Sequence, residues 1–263
     1  SGSTFLPNRV LNPCAYTPCL HYHSSDSRAH RYRSFHPLQA DSRQVVSNQV
    51  HVHRRLPELV RRHLSHRFEK PLAPHSKAAF QTLQERLHEN FKPLVLDSFC
   101  GTGQSTAELA AMYPDHLVVG VDKSAERLRK HVASTDDNYL LLQANCEDIW
   151  HLLVQHQLLL DHHYLLYPNP WPKAGHVQRR VHGHPALRYL LSLGGTVELR
   201  SNWQVYVEEF GLALHLAGSP GRVTCNIPQR PTTLFEQKYA ASGHPLWAFK
   251  GRLTPSDATQ LMG

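Results

Sequence analysis

The chain has 263 residues and carries 28 Lys and Arg against 21 Asp and Glu, a formal net charge of +7. That length accommodates one α/β domain of ordinary size plus an appendage. The basic excess points to a polyanionic partner, with a membrane surface as the other option, but no apolar run approaches the roughly eighteen residues of a spanning helix, which excludes a membrane-spanning helix.

Residues 1–40 are rich in Ser, His, Arg, Tyr and Pro without helical or strand periodicity, which predicts a disordered leader. They lack a continuous apolar core, so no secretory signal is expected. Cys14, Cys19, His21 and His23 are of ligand type, but their spacing matches no common zinc module and no metal is expected. The cysteines number five, with Cys100, Cys146 and Cys225 in apparent core segments, which fits a reducing, cytoplasmic setting.

From Asp41 to residue 92 the texture is that of a basic helical extension: VVSNQVHVHRRLPELVRRHL, a break at Pro71-Leu72-Ala73-Pro74, then HSKAAFQTLQERLHENF. Ser76 is a candidate cap for the second piece, and Ala79, Phe80, Leu83 and Leu87 recur at a spacing that packs on a sheet. Residues 1–93 hold 14 of the 28 Lys and Arg against 6 of the 21 Asp and Glu. Such a region suits RNA phosphates, although a basic helix face is also commonly just solvated.

The stretch PLVLDSFCGTGQST, residues 93–106, is the one around which the other elements are arranged. Leu94, Val95 and Leu96 predict a strand ending in Asp97, Gly101 and Gly103 a tight turn, and Gln104 to Met112 a helix whose free amides favour polar or anionic groups. A second apolar run, Leu117 to Val121, ends in Asp122, where a carboxylate can accept both hydroxyls of a ribose. A nicotinamide nucleotide or S-adenosylmethionine would satisfy this pattern. Phe99 stands where a first dinucleotide-fold glycine would be, and here the chain resembles the class I S-adenosylmethionine-dependent methyltransferases, which favours the methyl donor. Ser124 to Val132 then reads as a helix, Tyr139 to Gln143 as a strand, Cys146 to Gln155 as a helix and Leu158 to Tyr167 as a strand. Asn145 lies where its amide could meet an adenine edge or cap the helix.

The segment YPNPWPKAGHVQRR, residues 167–180, places two prolines around Asn169 at the end of that strand. Trp171 offers a stacking face, and Lys173, His176, Arg179 and Arg180 form a basic cluster suited to phosphate. Together with SNWQVYVEEF (201–210) and RPTTLFEQKYAASGHPLW (230–247), it resembles the bacterial tRNA (guanine-7-)-methyltransferases of the TrmB family, over residues 75–250. The resemblance implies that Asp97, Gly101, Gly103, Asp122 and Asn145 face S-adenosylmethionine. It also implies that Trp171, Lys173, His176, Arg179, Arg180, Trp203, Tyr206, Thr233 and Glu236 face RNA and guanine. Asn169 and Asn202 stand where the family pattern has catalytic-site aspartates. An amide weakens guanine recognition, because it offers one acceptor and two donors and carries no charge. Asn-Pro-Trp is also similar to the Asn-Pro-Pro-aromatic segment of amino-group methyltransferases. Two alternatives therefore stand beside tRNA guanine methylation: another base or amino group as target, or a catalytically impaired RNA-binding homologue.

The remaining elements are a helix over Pro185 to Leu193, a turn at Gly194-Gly195, strands at Thr196 to Arg200, Arg222 to Ile227 and Leu246 to Lys250, and a helix over Trp203 to Leu216. The expected fold is a Rossmann-like α/β class I methyltransferase sheet of seven strands, mostly parallel with an antiparallel last strand, over residues 93–253, with a tail from 254 to 263. The expected partner is tRNA or another structured RNA, without membrane or metal, and the protein is expected to be a monomer or homodimer.

Overall fold

Apolar runs in the chain pair as strands of one sheet in the computed structural model, which describes residues 44–226 and 232–254. In chain order the elements are α1 (Leu56–Ser65), α2 (Pro74–Glu89), β1 (Leu94–Ser98), α3 (Gln104–Met112), β2 (Leu117–Asp122), α4 (Ala125–Leu128), β3 (Tyr139–Gln143), α5 (Cys146–Gln155) and β4 (Leu160–Leu166). After two short 3₁₀ turns, Ala174–Arg179 and Val181–Gly183, come α6 (Leu187–Ser192), β5 (Gly195–Ser201), α7 (Gln204–Leu216), β6 (Gly221–Asn226), α8 (Leu234–Ala241) and β7 (Leu246–Leu253). The seven strands lie in the order β3-β2-β1-β4-β5-β7-β6. The first five run parallel, and β7 runs antiparallel to both β5 and β6. This is the Rossmann-like α/β sheet expected from the sequence.

Strands β1 and β2 are buried along their whole length, as parallel strands covered on both faces must be. Their side chains alternate between two cores: Leu94 and Leu96 join the larger one, while Val95 joins Leu109, Val118, Tyr164 and Leu166 on the face covered by α3. Leu56, Leu59 and Val60 of α1 and Phe80, Leu83 and Leu87 of α2 belong to the larger core, with Ala79 partly buried against it. The basic extension is thus built into the same core as the sheet.

Several local expectations are corrected. Residues 44–55 are not helical, and the first helix starts only at Leu56. Four valines lower helix propensity there, the Ser47 hydroxyl accepts the Gln49 N–H in a local non-helical turn, and both side chains also find partners far along the chain. Ser76 does not cap α2. Ala73 holds the cap position with Pro74 opening the helix, and buried Ser76 accepts the Asn145 N–H at 3.2 Å. The helix expected to Val132 stops at Leu128, where the N–H groups of Lys130 and His131 turn back three residues. Helix α8 adds to the elements expected from the sequence, β7 runs three residues further, and Cys225 is half-buried on the outermost strand. The leader through residue 43, with Cys14, Cys19, His21 and His23, and the tail from 255 lie outside the described residues. Among the described residues no helix is long and apolar enough to cross a membrane.

Candidate active site

The strand order reverses between β1 and β4, and the carboxyl ends of β1, β2, β3, β4 and β5 share one edge of the sheet. Ligands of open α/β sheets bind outside that edge, at the reversal. There Phe99, Gly101 and Gly103 carry φ of 64°, 63° and 76°. A Cβ on Gly103 would approach Leu141 to 2.6 Å, whereas one on Gly101 would meet nothing within 4 Å, so Gly101 faces open space. Phe99 holds a glycine-like conformation at a cost of about 1–3 kcal/mol. Its N–H bond to Cys146 Sγ at 3.3 Å and its edge-on contact with Trp150 keep it there.

Asp97, fully buried, accepts hydrogen bonds on Oδ2 from the hydroxyls of Ser105 (2.6 Å) and Thr106 (2.8 Å), while its Oδ1 has no partner. Burial raises its carboxyl to about 6. The two hydroxyl bonds pull the other way, and the charge of Asp122 adds to the rise. Asp122 fastens the glycine turn to β2: its Oδ2 accepts the Gly101 N–H at 3.0 Å and its Oδ1 the Ser124 N–H at 2.8 Å. The half-exposed guanidinium of Arg127 lies 3.0 Å from Oδ1. Asn145 holds the cap position of α5, but its side chain accepts no helix-start N–H; its amide instead donates to Asp148 Oδ2 at 3.0 Å.

The Asn169 loop leaves β4 through two residues with positive φ, Tyr167 (54°) and Trp171 (45°). Asn169 is exposed, and its Oδ1 accepts the Trp171 N–H at 3.2 Å, so the side chain shapes the turn. Arg179 lies over the Trp171 ring at 4.9 Å, and His176 meets the same ring edge-on. With exposed Lys173 these form a basic and aromatic surface. Neighbouring Arg179 and Lys173 add to desolvation in lowering the His176 pKa.

Arg180 is absent from that surface. It is completely buried, ion-paired with Glu209, and donates to Gln49 Oε1 (3.0 Å) and the carbonyls of Trp171 (3.1 Å) and Lys173 (3.3 Å), with its guanidinium 4.9 Å from the Trp203 ring centre. Glu209 also accepts from His182 Nε2 (2.8 Å) and the His53 N–H (2.7 Å). Burial alone would raise the Glu209 carboxyl, but bonds and charge from His182 and Arg180 outweigh it and hold it at about 2. Ser47 ties the N-terminal segment to the same loop through the Pro172 carbonyl at 2.6 Å.

Trp203 and Tyr206, expected on the guanine side, are buried in the core below Arg180. Asn202 sits half-buried just past β5. Thr233 caps α8 by accepting the Glu236 N–H at 2.9 Å. Buried Glu236 accepts from Tyr167 Oη (2.9 Å), Arg200 (3.0 Å) and the Thr232 N–H (2.7 Å). It therefore braces the Asn169 loop from behind. The sequence did not single out Gln49, His182, Arg200 or Glu209, which organise this edge from inside.

The family model Methyltransf_4, described as "Putative methyltransferase", matches residues 91–249. The chain belongs to this methyltransferase family. Its curated relatives include the tRNA (guanine-N(7)-)-methyltransferase of Thiobacillus denitrificans, 28% identical over 59% of this chain and 73% of the relative. The enzyme of the same description from Burkholderia lata is 29% identical over 59% of this chain and 65% of the relative. Among solved structures, the 16S rRNA methyltransferase KamB matches with a TM-score of 0.48 at 19% identity, covering 71% of this chain and 96% of that one. As a methyltransferase of this family the chain needs a place for a methyl donor. The unpartnered Asp97 Oδ1 and the open space at Gly101 fit a cationic, backbone-approached group of that kind.

Proposed function

We propose that this methyltransferase uses S-adenosylmethionine to methylate the N7 position of a guanine in tRNA. The observation that carries the proposal is the convergence, at one sheet edge, of buried Asp97 with a free oxygen, the open Gly101 turn, Asp122 and the Asn169 loop. S-adenosylmethionine supplies a methyl group on a sulfonium, and the names of the curated relatives supply the guanine. Asp97 and the turn bounded by Gly101 and Gly103 hold the methionine part, Asp122 the ribose once Arg127 swings away, and Asn145 the adenine edge. Trp171, Lys173, His176 and Arg179 face the RNA. Guanine N7 bears a lone pair and no proton, so the protein's task is alignment rather than proton removal. An amino-group target is less well supported, since Asn169 Oδ1 already accepts the Trp171 N–H. Transfer of labelled methyl from S-adenosylmethionine to tRNA by the wild type tests the proposal, and no transfer to any RNA would defeat it.

Donor binding should depend on pH with a defined sign. The Asp97 carboxyl titrates at about 6 in the free protein. A cationic group on its Oδ1 requires the carboxylate, so binding expels a proton, and affinity rises about tenfold per pH unit below 6 and levels off above it. Calorimetry between pH 5 and 8 checks this, with Asp97→Asn expected to bind weakly and without the slope. A wild-type affinity independent of pH would remove Asp97 from the donor site.

Salt dependence should separate two neighbours. Exposed Arg179 is placed to meet phosphate, so Arg179→Ala should reduce the slope of log affinity for tRNA against log salt by about 0.7–0.9. Buried Arg180 should leave the slope unchanged in any variant that folds. Equal slopes for wild type and Arg179→Ala would take Arg179 off the RNA surface.

A further inference from the structure

Three residues past α4, His131 reaches the glycine turn. Its Nδ1 lies 2.9 Å from the Thr102 carbonyl and its Nε2 lies 2.8 Å from Tyr139 Oη, which accepts the Ser134 N–H at 3.1 Å. A carbonyl only accepts, so Nδ1 carries the proton, and in the tautomer with Nε2 bare the Tyr139 hydroxyl donates to it. The chain of bonds thus runs in one direction, from Ser134 through Tyr139 and His131 to Thr102. The peptide that bears the Thr102 carbonyl is held at its other end as well, because the Gly103 N–H donates to the Cys100 carbonyl at 3.0 Å. That peptide leads directly into α3 and lies one residue past Gly101, which faces open space. His131 thus links the turn, through Thr102, to the start of β3, through Tyr139.

We infer that His131 is a positioning residue for the methyl donor: it fixes the Thr102–Gly103 peptide plane, with Tyr139 locking the tautomer that can do so. The inference rests on the donor site proposed above. A fixed turn presents its amides already oriented, whereas a loose one must be ordered at the moment of binding, which lowers affinity. The hydrogen bonds and ring contact of His131 go to Thr102 and Tyr139 and not to the Asn169 loop or its basic surface, so affinity for RNA should not change with it.

The test compares full-length wild type, His131→Ala, His131→Asn and Tyr139→Phe by calorimetry with S-adenosylmethionine, by tRNA binding and by thermal melting. His131→Ala should bind the donor about tenfold more weakly, the scale of one lost hydrogen bond to an ordered loop, with tRNA affinity unchanged. His131→Asn places an N–H where Nδ1 stood and should recover most of the loss. Tyr139→Phe keeps the ring but not the lock and should lose about two- to fivefold. Donor affinity of His131→Ala within about twofold of wild type overturns the inference, as does an equal loss of donor and tRNA affinity. If His131→Ala does not fold, failure of Tyr139→Phe to weaken donor binding overturns it. Wild type that binds no donor would instead overturn the donor site itself, and the inference with it.

Discussion

Glu209→Ala should destabilise the protein by about 3–5 kcal/mol, because it strands the completely buried Arg180 guanidinium without its counter-charge. It also removes the acceptor of the His182 ring, the Gln49 amide and the His53 N–H, so the N-terminal segment should loosen together with the Asn169 loop. Glu209→Gln, which keeps the shape and one acceptor, should cost less. The pH dependence follows from the Glu209 carboxyl, held at about 2 against an ordinary 4.5. Its contribution is fully present above 4.5 and is lost as pH falls through 2, so the gap between wild type and Glu209→Ala should narrow over that range. Asp97 works in the opposite sense: raised from 3.8 to about 6, it favours the fold below 3.8 and loses that effect as pH rises through 6. Chemical denaturation at pH 7 and at pH 3 reads both. A loss below about 1 kcal/mol for Glu209→Ala at pH 7 would show that the pair is not what holds this edge together.

The second large effect concerns the two amides. Asn169→Asp with Asn202→Asp should raise 7-methylguanosine formation on tRNA by up to about a thousandfold. Each carboxylate that accepts a guanine donor in place of an amide is worth about 1.5–3 kcal/mol, and two such gains realised in the transition state multiply. Asn169→Asp keeps an Oδ acceptor for the Trp171 N–H, so the turn survives the change, and Asn202→Asp is close to isosteric at a half-buried position just past β5. Glu236 does not replace either missing carboxylate, because its oxygens are engaged by Tyr167, Arg200 and Thr232. Unchanged activity in the double variant would mean that guanine is held by other groups.

Local signals in the sequence are the ones that the structure reproduces. Helices Gln104–Met112 and Cys146–Gln155 and strand Tyr139–Gln143 are legible to the residue, because glycine turns and apolar runs act over a few positions. The Arg180 cluster is hidden because its partners are remote: Gln49 and Glu209 are separated by 160 positions, Ser47 and Pro172 by 125. An Arg in a basic run looks like a phosphate ligand until the fold shows where it points. Helix α8 escapes notice although Thr233-Leu234-Phe235-Glu236 carries the capping-box pattern, since the same residues also make up a recognition motif. Phe99 at a glycine position is visible, but not the contacts with Cys146 and Trp150 that let it stay.

Methyl transfer to guanine N7 in tRNA can be read by nucleoside mass spectrometry. Total RNA from cells lacking the protein, incubated with the purified chain and isotopically labelled S-adenosylmethionine, should yield labelled 7-methylguanosine in the tRNA fraction, weakly with wild type and strongly with the Asn169→Asp/Asn202→Asp variant. Label confined to another nucleoside, or absent from both proteins while the donor binds, would contradict it.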